Sequence, residues 1–254
     1  MDEDSQAREL ERTSRSPRPL LDRALYSAKT VVARYPSIAL PIARLRGHGY
    51  PFGSETEIVI EGFPRTGTSF AVSAFEMAQP TKPVIAHHVH APAQLIAAVR
   101  AGAPALLLVR EPEEAVLSLV IRPPQRGVAA ALRGYVRFHE PLLRHLDGMV
   151  VATFSQVVRD FGEVMERVNR RFGTSFRPFD HTEENVRMVL AAIEAYTRPA
   201  GGGEEEFERI VGRPSHVREA LKARLRGQYR LPRLDARRRR AEGLYERFAA
   251  RSAG

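Results

Sequence analysis

The sequence predicts an α/β protein of three layers, in which helices cover both faces of a parallel β-sheet and an α-helical C-terminal cap follows. Between residues 57 and about 172, short apolar or β-branched runs alternate with segments whose apolar residues recur at helical spacing. One run, Ala105–Val109, is apolar throughout, which is typical of a strand buried on both faces. After Pro178 the alternation stops and only helical patterns follow.

The individual elements follow from local patterns. β-Branched residues at 57–61 indicate the first strand, and the Gly/Pro turn after it precedes a helix that runs to about Met77. Ser155 is expected to cap the helix that follows the last strand. The remaining predicted strands cover 84–86, 105–109 and 149–154, and the remaining predicted helices cover 20–33, 93–100, 113–121, 126–146, 155–172, 182–196, 215–228 and 235–251.

The length of 254 residues suits one domain, and we expect the whole chain, 1–254, to form it. Residues 1–18 are charged and rich in Ser and Arg, so we expect them to be flexible. Residues 180–254 should form the mostly helical cap.

Composition restricts the classes of function. The chain has 39 Lys and Arg against 30 Asp and Glu, a formal charge of +9 that favours anionic partners. It has no cysteine, which excludes disulfides, thiolate metal sites and cysteine nucleophiles. The polar start Met1–Asp4 lacks the apolar core of a signal peptide, and no apolar run reaches membrane-spanning length. We therefore expect a cytoplasmic protein.

The turn after the first strand has the pattern of an anion-binding loop. In Gly62-x-x-x-x-Gly67-Thr68-Ser69, backbone N–H groups and the N-terminus of the next helix would surround a phosphate. The pattern is nearly the nucleoside-triphosphate P-loop, but Thr68 occupies the position of its lysine. The positive side chain is instead Arg65, inside the loop. We therefore expect a sheet of P-loop type whose loop holds an anion without that lysine.

Polar residues also follow two other predicted strands. His87, His88 and His90 come after 84–86, and Arg110 ends the run 105–109. Because parallel strands place their carboxyl ends at one edge of the sheet, these residues should share a crevice with the loop. Zinc is the obvious rival for the histidines, but no carboxylate is interleaved among them and adjacent strand residues face opposite ways. We expect no metal.

The loop sequence Phe63-Pro64-Arg65-Thr66-Gly67-Thr68-Ser69 resembles the 5′-phosphosulfate loop of sulfotransferases that use 3′-phosphoadenosine 5′-phosphosulfate (PAPS). Arg110-Glu111-Pro112, with Ser118 eight residues after the arginine, is similar to the 3′-phosphate motif of that family. Phe154-Ser155-Gln156-Val157-Val158 further resembles a family segment that normally begins with tyrosine. The resemblance spans roughly residues 57–175 and implies PAPS as the sulfuryl donor.

The resemblance also implies roles for individual residues. The backbone of Thr66, Gly67, Thr68 and Ser69, with the hydroxyls of the last two, would hold the 5′-phosphate. Arg65 would bind there too and stabilise the leaving phosphate, because a guanidinium can hold two oxygens at once. Arg110 and Ser118 would hold the 3′-phosphate. The alternative for Arg110 is a salt bridge to Glu111, Glu113 or Glu114.

The family chemistry needs a base that takes the proton of the acceptor hydroxyl, and histidine suits this near neutral pH. His90-Ala91-Pro92 matches the His-x-Pro part of a family setting, and His88 takes the place of a lysine. Period-two alternation would put His88 and His90 on one side, so either is a candidate, whereas His87 is expected to be structural. Glu61 or Glu76 is the alternative base. The late basic stretch of the family is not found, and Arg213, Arg218 and Arg226 are candidates for its role.

Two other functions stay open. An ATP- or GTP-dependent kinase or ATPase would need a lysine near Thr68 and an acidic residue after the buried strand, where Arg110 stands instead. A non-catalytic protein that binds polyanions or nucleic acid would fit the charge of +9, but the chain has no tryptophan and no basic patch interleaved with aromatics. We expect no nucleic-acid partner.

The acceptor cannot be specified beyond a small molecule, a carbohydrate or a lipid with a hydroxyl or amine. Residues 20–46 combine apolar helical patterns with Arg23, Lys29, Arg34, Arg44 and Arg46. This segment either packs on the flank of the domain or also contacts an anionic membrane peripherally. The sequence does not specify the oligomeric state.

Overall fold

A computed structural model describes residues 31–122, 127–198, 203–211 and 215–253. Residues 1–18, most of the predicted helix 20–33, and Arg213 lie outside the described residues. Within the described part of the chain, no helix is long and apolar enough to cross a membrane.

The centre of the fold is a parallel sheet of four strands: β1 (Ile58–Gly62), β2 (Ile85–Ala86), β3 (Ala105–Val109) and β4 (Val150–Thr153). The strand order is β2-β1-β3-β4, and every pairing is parallel. Gly62 at the end of β1 pairs in register with Leu108 near the end of β3. The predicted α/β class with a parallel sheet is confirmed.

Helices connect the strands and complete the C-terminal third. The helices are α1 (Pro36–Leu45), α2 (Thr68–Ala78), α3 (Pro92–Ala101), α4 (Pro112–Val120), α5 (Val128–His139), α6 (Phe154–Arg159), α7 (Phe161–Phe172), α8 (Glu183–Thr197), α9 (Glu204–Ile210), α10 (His216–Tyr229) and α11 (Asp235–Ala250). Short 3₁₀ segments cover Glu140–Gly148, Pro232–Leu234 and Arg251–Ala253.

The two faces of the sheet bury separate apolar cores, as expected for three layers. Leu107 and Val109 face a core that also contains Leu244 and Phe248 from α11, so the last helix packs directly on this layer. Leu106 and Leu108 face the other core, which α2, α7 and α8 complete. All five residues of β1 and of β3 are buried, which explains why β3 is apolar without alternation.

Two predicted helices differ from those observed. Thr153, not Ser155, caps α6: its side chain accepts from the backbone N–H of Gln156, and the Gln156 side chain accepts from the backbone N–H of Thr153. Asp160 then ends α6 and caps α7 through the N–H of Glu163, at 3.1 Å. A second cap inside the predicted helix 155–172 therefore divides it, since a side-chain acceptor for a free helical N–H favours a new start. The predicted helix 126–146 likewise changes to 3₁₀ geometry at Glu140.

Strand order fixes where a ligand crevice can form. β2 lies on one side of β1 in the sheet, and β3 lies on the other side of β1. The next strand, β4, lies beyond β3. The connections from β1 and β3 therefore leave in opposite directions, which opens a crevice between their carboxyl ends. Gly62 and Arg110 lie at this point, so the loop and the predicted arginine are neighbours in the fold.

The loop before β1 supports the segment after β2. Tyr50 and His87 form an antiparallel bridge, with N–H to carbonyl distances of 2.9 and 3.0 Å. A Cβ on Gly49 would lie 2.6 Å from the carbonyl carbon and oxygen of His88. Gly49 is therefore needed both for its φ of +67° and for this close approach.

Gly47 supplies a matched comparison, because its φ of +57° is similar but a Cβ there would meet nothing within 4 Å. Gly47→Ala should lower the free energy of unfolding by about 1 kcal/mol, the cost of a left-handed alanine. Gly49→Ala should lower it by about 3 kcal/mol, because the backbone of His88 must also move. Urea unfolding at neutral pH measures both. Equal losses would show that the segment 47–50 can move away from His88 at no cost.

Candidate functional site

The loop after β1 is shaped by two left-handed residues. Arg65 has a φ of +76° and Gly67 a φ of +94°. A non-glycine residue in this region is strained, and such strain is concentrated at functional sites. Gly62 permits the tight exit from β1, because a Cβ there would collide with the Thr66 hydroxyl and the Leu108 carbonyl. The Thr66 hydroxyl donates to the Phe63 carbonyl at 2.8 Å, which closes the turn.

The loop ends at the N-terminus of α2. Gly67 is the N-cap residue, so no side chain caps this helix, and its first N–H groups are directed toward the loop. The hydroxyl of Thr68 is buried and has no hydrogen-bond partner. Phe154 packs beside the loop, because a Cβ on Gly67 would lie 3.1 Å from its ring. This geometry suits an anion held by backbone N–H groups and one hydroxyl.

A cluster of guanidinium groups surrounds the hydroxyl of Ser118 on α4. Arg65 donates to this hydroxyl through Nε at 3.0 Å, and Arg218 donates to it through Nη2 at 2.8 Å. Ser118 and Arg218 are both buried. Arg65 lies 53 positions before Ser118 in the sequence and Arg218 lies 100 positions after it, yet both bind the same hydroxyl. Of the two late arginines considered from the sequence that the structure describes, Arg218 and Arg226, Arg218 contacts Ser118.

Arg110 adjoins this cluster through the loop backbone. Its guanidinium donates to the Arg65 carbonyl and to the Glu114 carboxylate, each at 3.2 Å. It also lies over the Phe154 ring, with 4.0 Å to the ring centre. The Nε of Arg110 is buried without a partner. The salt bridge to Glu114 that was the alternative for Arg110 is therefore present, and one donor is still unused.

The arginines of the cluster repel one another. Burial and then the charges of Arg218, Arg122 and Arg110 lower the pKa of Arg65 well below its ordinary value. Burial and then the charge of Arg110 lower the pKa of Arg218 to about 10. Because guanidinium groups stay protonated, these lowered pKa values express first the cost of burying the cations and then the repulsion between them. An anion among them would relieve that cost.

Backbone carbonyls at the C-terminus of α9 compensate part of this charge. Arg65 donates to the Ile210 and Val211 carbonyls at 3.1 and 3.0 Å, and Arg218 donates to the Glu208 and Arg209 carbonyls. The last carbonyls of a helix carry partial negative charge and lack intrahelical donors. Neutral acceptors thus hold two of the cations.

The histidines line the other side of the crevice, in a geometry that differs from the predicted strand alternation. β2 ends at Ala86, and His88 and His90 have left-handed φ values of +58° and +53°. Their rings nevertheless lie close, with 5.6 Å between centres. The Nε2 of His88 is 3.1 Å from the Ser69 hydroxyl at the start of α2. The histidines therefore reach the loop through a kinked backbone and not through an extended strand.

Glu61 positions this histidine segment from within β1. Its carboxylate is completely buried and accepts from the backbone N–H groups of Val89 and His90 at 2.9 and 3.0 Å. It also accepts from the Gly62 N–H at 3.0 Å and from the Gln94 amide at 3.1 Å. A buried carboxylate with this many donors is stabilised in its ionised form. Glu61 is thus a support for the histidines, and Glu76, the other alternative base, is exposed about two turns along α2.

The two ring nitrogens of His90 have different surroundings. Nδ1 lies 3.0 Å from the Gly62 carbonyl and 3.3 Å from a Glu61 oxygen, so it must carry the proton and donate. In the neutral ring this proton leaves Nε2 as the nitrogen that can accept another. In His88, burial and then the charge of His90 lower the pKa to about 4, so this ring is neutral at pH 7. A carboxylate therefore orients the His90 ring, with Nδ1 as the donor.

The sequence alone did not identify three contacts of this site. The support from Glu61 has a sequence signal, because a charged residue at the end of a buried apolar strand needs a partner. The Gln94 contact and the Arg218–Ser118 contact have no sequence signal, because nothing in the sequences of α3 and α10 distinguishes these two side chains from other polar residues on helices. Among the described residues, no group of three or more His, Asp or Glu side chains is arranged to hold a metal ion.

No family model and no curated protein matches the sequence. Among solved structures, the fold is similar to the crystal structure of mouse sulfotransferase SULT7A1 complexed with PAP, at 10% sequence identity and a TM-score of 0.41. The similarity covers 76% of this chain and 89% of that chain. At that TM-score, the function has to be argued from the site residues themselves.

Glu61→Gln tests the support of the histidine segment. Burial alone would raise the pKa of Glu61, but the hydrogen bond and charge of His90 and the Gly62 N–H outweigh it, so the pKa lies below 4.5. The ionised carboxylate therefore stabilises the fold above pH 4.5, and this contribution is lost as the pH falls through the lower folded pKa. The variant should unfold about 3 kcal/mol more easily at pH 7, and the difference should shrink below pH 4.5.

Glu76→Gln is the matched control, because this carboxylate is exposed on α2. It should change the free energy of unfolding by less than about 0.5 kcal/mol. Urea unfolding of the wild type and both variants, repeated from pH 7 to pH 4, gives the comparison. A Glu61→Gln difference that stays constant down to pH 4 would contradict a lowered pKa.

Proposed function

We propose that the protein is a sulfotransferase that moves a sulfuryl group from PAPS to an acceptor hydroxyl or amine, releasing adenosine 3′,5′-bisphosphate. The observation that carries this proposal is the meeting of Arg65 and Arg218 at the hydroxyl of Ser118, with Arg110 beside them. Three neighbouring guanidinium groups, two of which have pKa values lowered by burial and by the charges of other arginines, form a strong site for a dianionic group. The anion-binding loop lies next to this cluster. The loop and the cluster would therefore each bind one phosphate group of the same nucleotide.

The 3′-phosphate would be held by Ser118, Arg110 and Arg218. The Ser118 hydroxyl already lies between two guanidinium groups, and Arg110 has a buried Nε free for a further hydrogen bond. A phosphate here would accept charge-assisted hydrogen bonds, which are stronger than those to neutral carbonyls. It would thereby compete with the α9 carbonyls for Arg218.

The 5′-phosphosulfate would be held by the loop from Thr66 to Ser69. The uncapped N-terminus of α2 supplies backbone N–H groups, and the unpartnered Thr68 hydroxyl supplies one more donor. Arg65 lies inside the same loop, but its guanidinium donates to Ser118 and to the carbonyls at the end of α9. To stabilise the leaving phosphate, Arg65 would exchange those carbonyls for phosphate oxygens.

The proton of the acceptor would go to His90. Its Nδ1–H is held by the Gly62 carbonyl and Glu61, so Nε2 is the nitrogen that can accept. His88 is hydrogen-bonded to Ser69 and would position that hydroxyl at the start of α2. With the acceptor oxygen opposite the leaving phosphate, the S–O bond to the acceptor forms as the bond to the bisphosphate breaks. His90 takes the acceptor proton in the same step.

Calorimetric titration with adenosine 3′,5′-bisphosphate, without added metal, tests the donor site. We expect micromolar or tighter binding by the wild type and a loss of about 10- to 100-fold in Arg110→Ala and in Arg218→Ala, because each removes charge-assisted hydrogen bonds. Ser118→Ala should weaken binding by about tenfold.

Arg226→Ala is the matched control, since this late arginine pairs with Glu113, Glu114 and Glu219 and does not contact Ser118. It should bind the bisphosphate within about twofold of the wild type. Binding of ATP in preference to the bisphosphate would favour a kinase or ATPase. Absence of bisphosphate binding by folded protein would refute the sulfotransferase proposal.

His90→Asn and His88→Asn separate the two histidines. With an acceptor found by screening phenols, sugars and lipid alcohols, His90→Asn should lower the rate of bisphosphate release by about 100-fold or more. Its affinity for the bisphosphate should stay within about threefold of the wild type. His88→Asn should cost about tenfold in rate, as expected of a positioning residue. The reverse order of the two rates would assign the base to His88.

A further inference from the structure

Helix α1 exposes an unusually apolar face. Ile38, Ile42 and Leu45 lie at positions i, i+4 and i+7 of this helix, and their exposed fractions are 47%, 41% and 89%. Residues at this spacing form one stripe along a helix. Pro41, also exposed, extends the stripe. Large apolar side chains gathered in this way on a surface mark a site of interaction.

The opposite face of α1 anchors the helix to the domain. Leu40 and Ala43 are buried, and Ala43 packs in a small core with Val89, Ala91 and Ala93 at the start of α3. The helix therefore does not need its exposed stripe for folding. A helix that is apolar on both faces has a second contact to make.

The segment that contains α1 carries arginines and no acidic residue. The segment 31–53 contains Arg34, Arg44 and Arg46 and no acidic residue. All three arginines are exposed. An apolar stripe flanked by cations matches a membrane surface that carries anionic lipid headgroups, because apolar side chains enter the interface while cations contact the headgroups.

The same helix is connected to the proposed catalytic histidines. Arg44 donates to the Phe52 carbonyl, the Phe52 N–H donates to the Gln94 side chain at 2.9 Å, and Gln94 donates to Glu61. Gly49, which follows α1, contacts the backbone of His88. Any surface that α1 binds would therefore lie close to the side of the crevice that His88 and His90 form.

We propose that α1 docks the protein on an anionic lipid membrane, with Ile38, Ile42 and Leu45 in the interface and Arg34 and Arg46 at the headgroups. The docking itself does not depend on the proposed function. If that function also holds, docking places the histidine side of the crevice at the membrane surface, where a lipid-borne hydroxyl would be the acceptor.

Sedimentation of the full chain with lipid vesicles tests the proposal. The protein should partition onto vesicles of phosphatidylcholine mixed with phosphatidylglycerol, and about tenfold less onto phosphatidylcholine alone, because the arginines contribute electrostatically. The double variant Ile38→Ser, Ile42→Ser should partition at least about tenfold more weakly onto the mixed vesicles. Arg34→Gln with Arg46→Gln should reduce partitioning onto the mixed vesicles only.

Met188→Ser with Val217→Ser is the matched control, because these side chains on α8 and α10 have exposed fractions of 46% and 45%. It should partition within about twofold of the wild type. Equal partitioning by the α1 double variant and this control would overturn the proposal. Failure of the wild type to partition onto the mixed vesicles at low salt would also overturn it. That outcome includes the case in which a second copy of the chain or residues 1–30 cover the stripe.

Bisphosphate titration of the α1 double variant separates this proposal from the function proposed above. We expect its affinity for the bisphosphate to equal that of the wild type, since α1 packs on α3 whereas the arginine cluster lies in the loop and on α4 and α10. Vesicle binding without bisphosphate binding would support docking and refute the sulfotransferase proposal. If the protein binds the bisphosphate but the α1 substitutions leave vesicle partitioning unchanged, the result would support the sulfotransferase proposal and refute docking.

Discussion

The mutual repulsion of Arg65, Arg110 and Arg218 is the constraint on which the crevice depends. Arg65 and Arg218 meet at the Ser118 hydroxyl, and Arg110 lies beside them against the Arg65 carbonyl. The acceptors of Arg65 among the described residues are that hydroxyl and two backbone carbonyls. Holding cations together in a partly buried place costs stability unless negative charge is near. The fold supplies partial charge from the C-terminus of α9 and full charge from Glu114, which pairs with Arg110. The three helices α4, α9 and α10 supply the groups that meet here.

Glu61 imposes the opposite constraint on the neighbouring wall of the crevice. A single buried carboxylate orders the backbone of Val89 and His90 and one ring of the histidine cluster. The left-handed conformations of His88 and His90 are sustained because the carboxylate and the bridge at Tyr50 over-determine the segment. One side of the crevice thus has a negative centre, at the end of β1, and the other has a positive cluster, beside β3. This arrangement suits a reaction that separates an anionic leaving group from a proton.

Much of the fold followed from local sequence patterns, because strands buried on both faces and helices with one apolar stripe leave strong periodic signals. The runs at Ile58–Gly62 and Ala105–Val109 were predicted to within a residue. The break at Asp160 was not, since two consecutive capped helices have the same apolar spacing as one. The loop and Arg110 were predicted to lie together, and Arg110 does contact the Arg65 carbonyl. Arg218 was only one of three late arginines, because its partner lies 100 positions away. The kinked backbone at His88 depends on Gly49 and Glu61, which are distant in sequence, so alternation along a strand could not reveal it.

The contact between Arg218 and Ser118 has a consequence for how the protein matures on the ribosome. All four strands and the loop precede residue 154, so this part can collapse while the chain is still being synthesised. The third guanidinium of the cluster arrives only with α10, some sixty residues later by sequence order. A nascent chain therefore contains all four strands before it contains the full guanidinium cluster. A chain cut short before α10 would lack Arg218, and it would also lack the α11 side chains Leu244 and Phe248 that complete one core of the sheet. The cluster and that core are therefore completed together, late in synthesis.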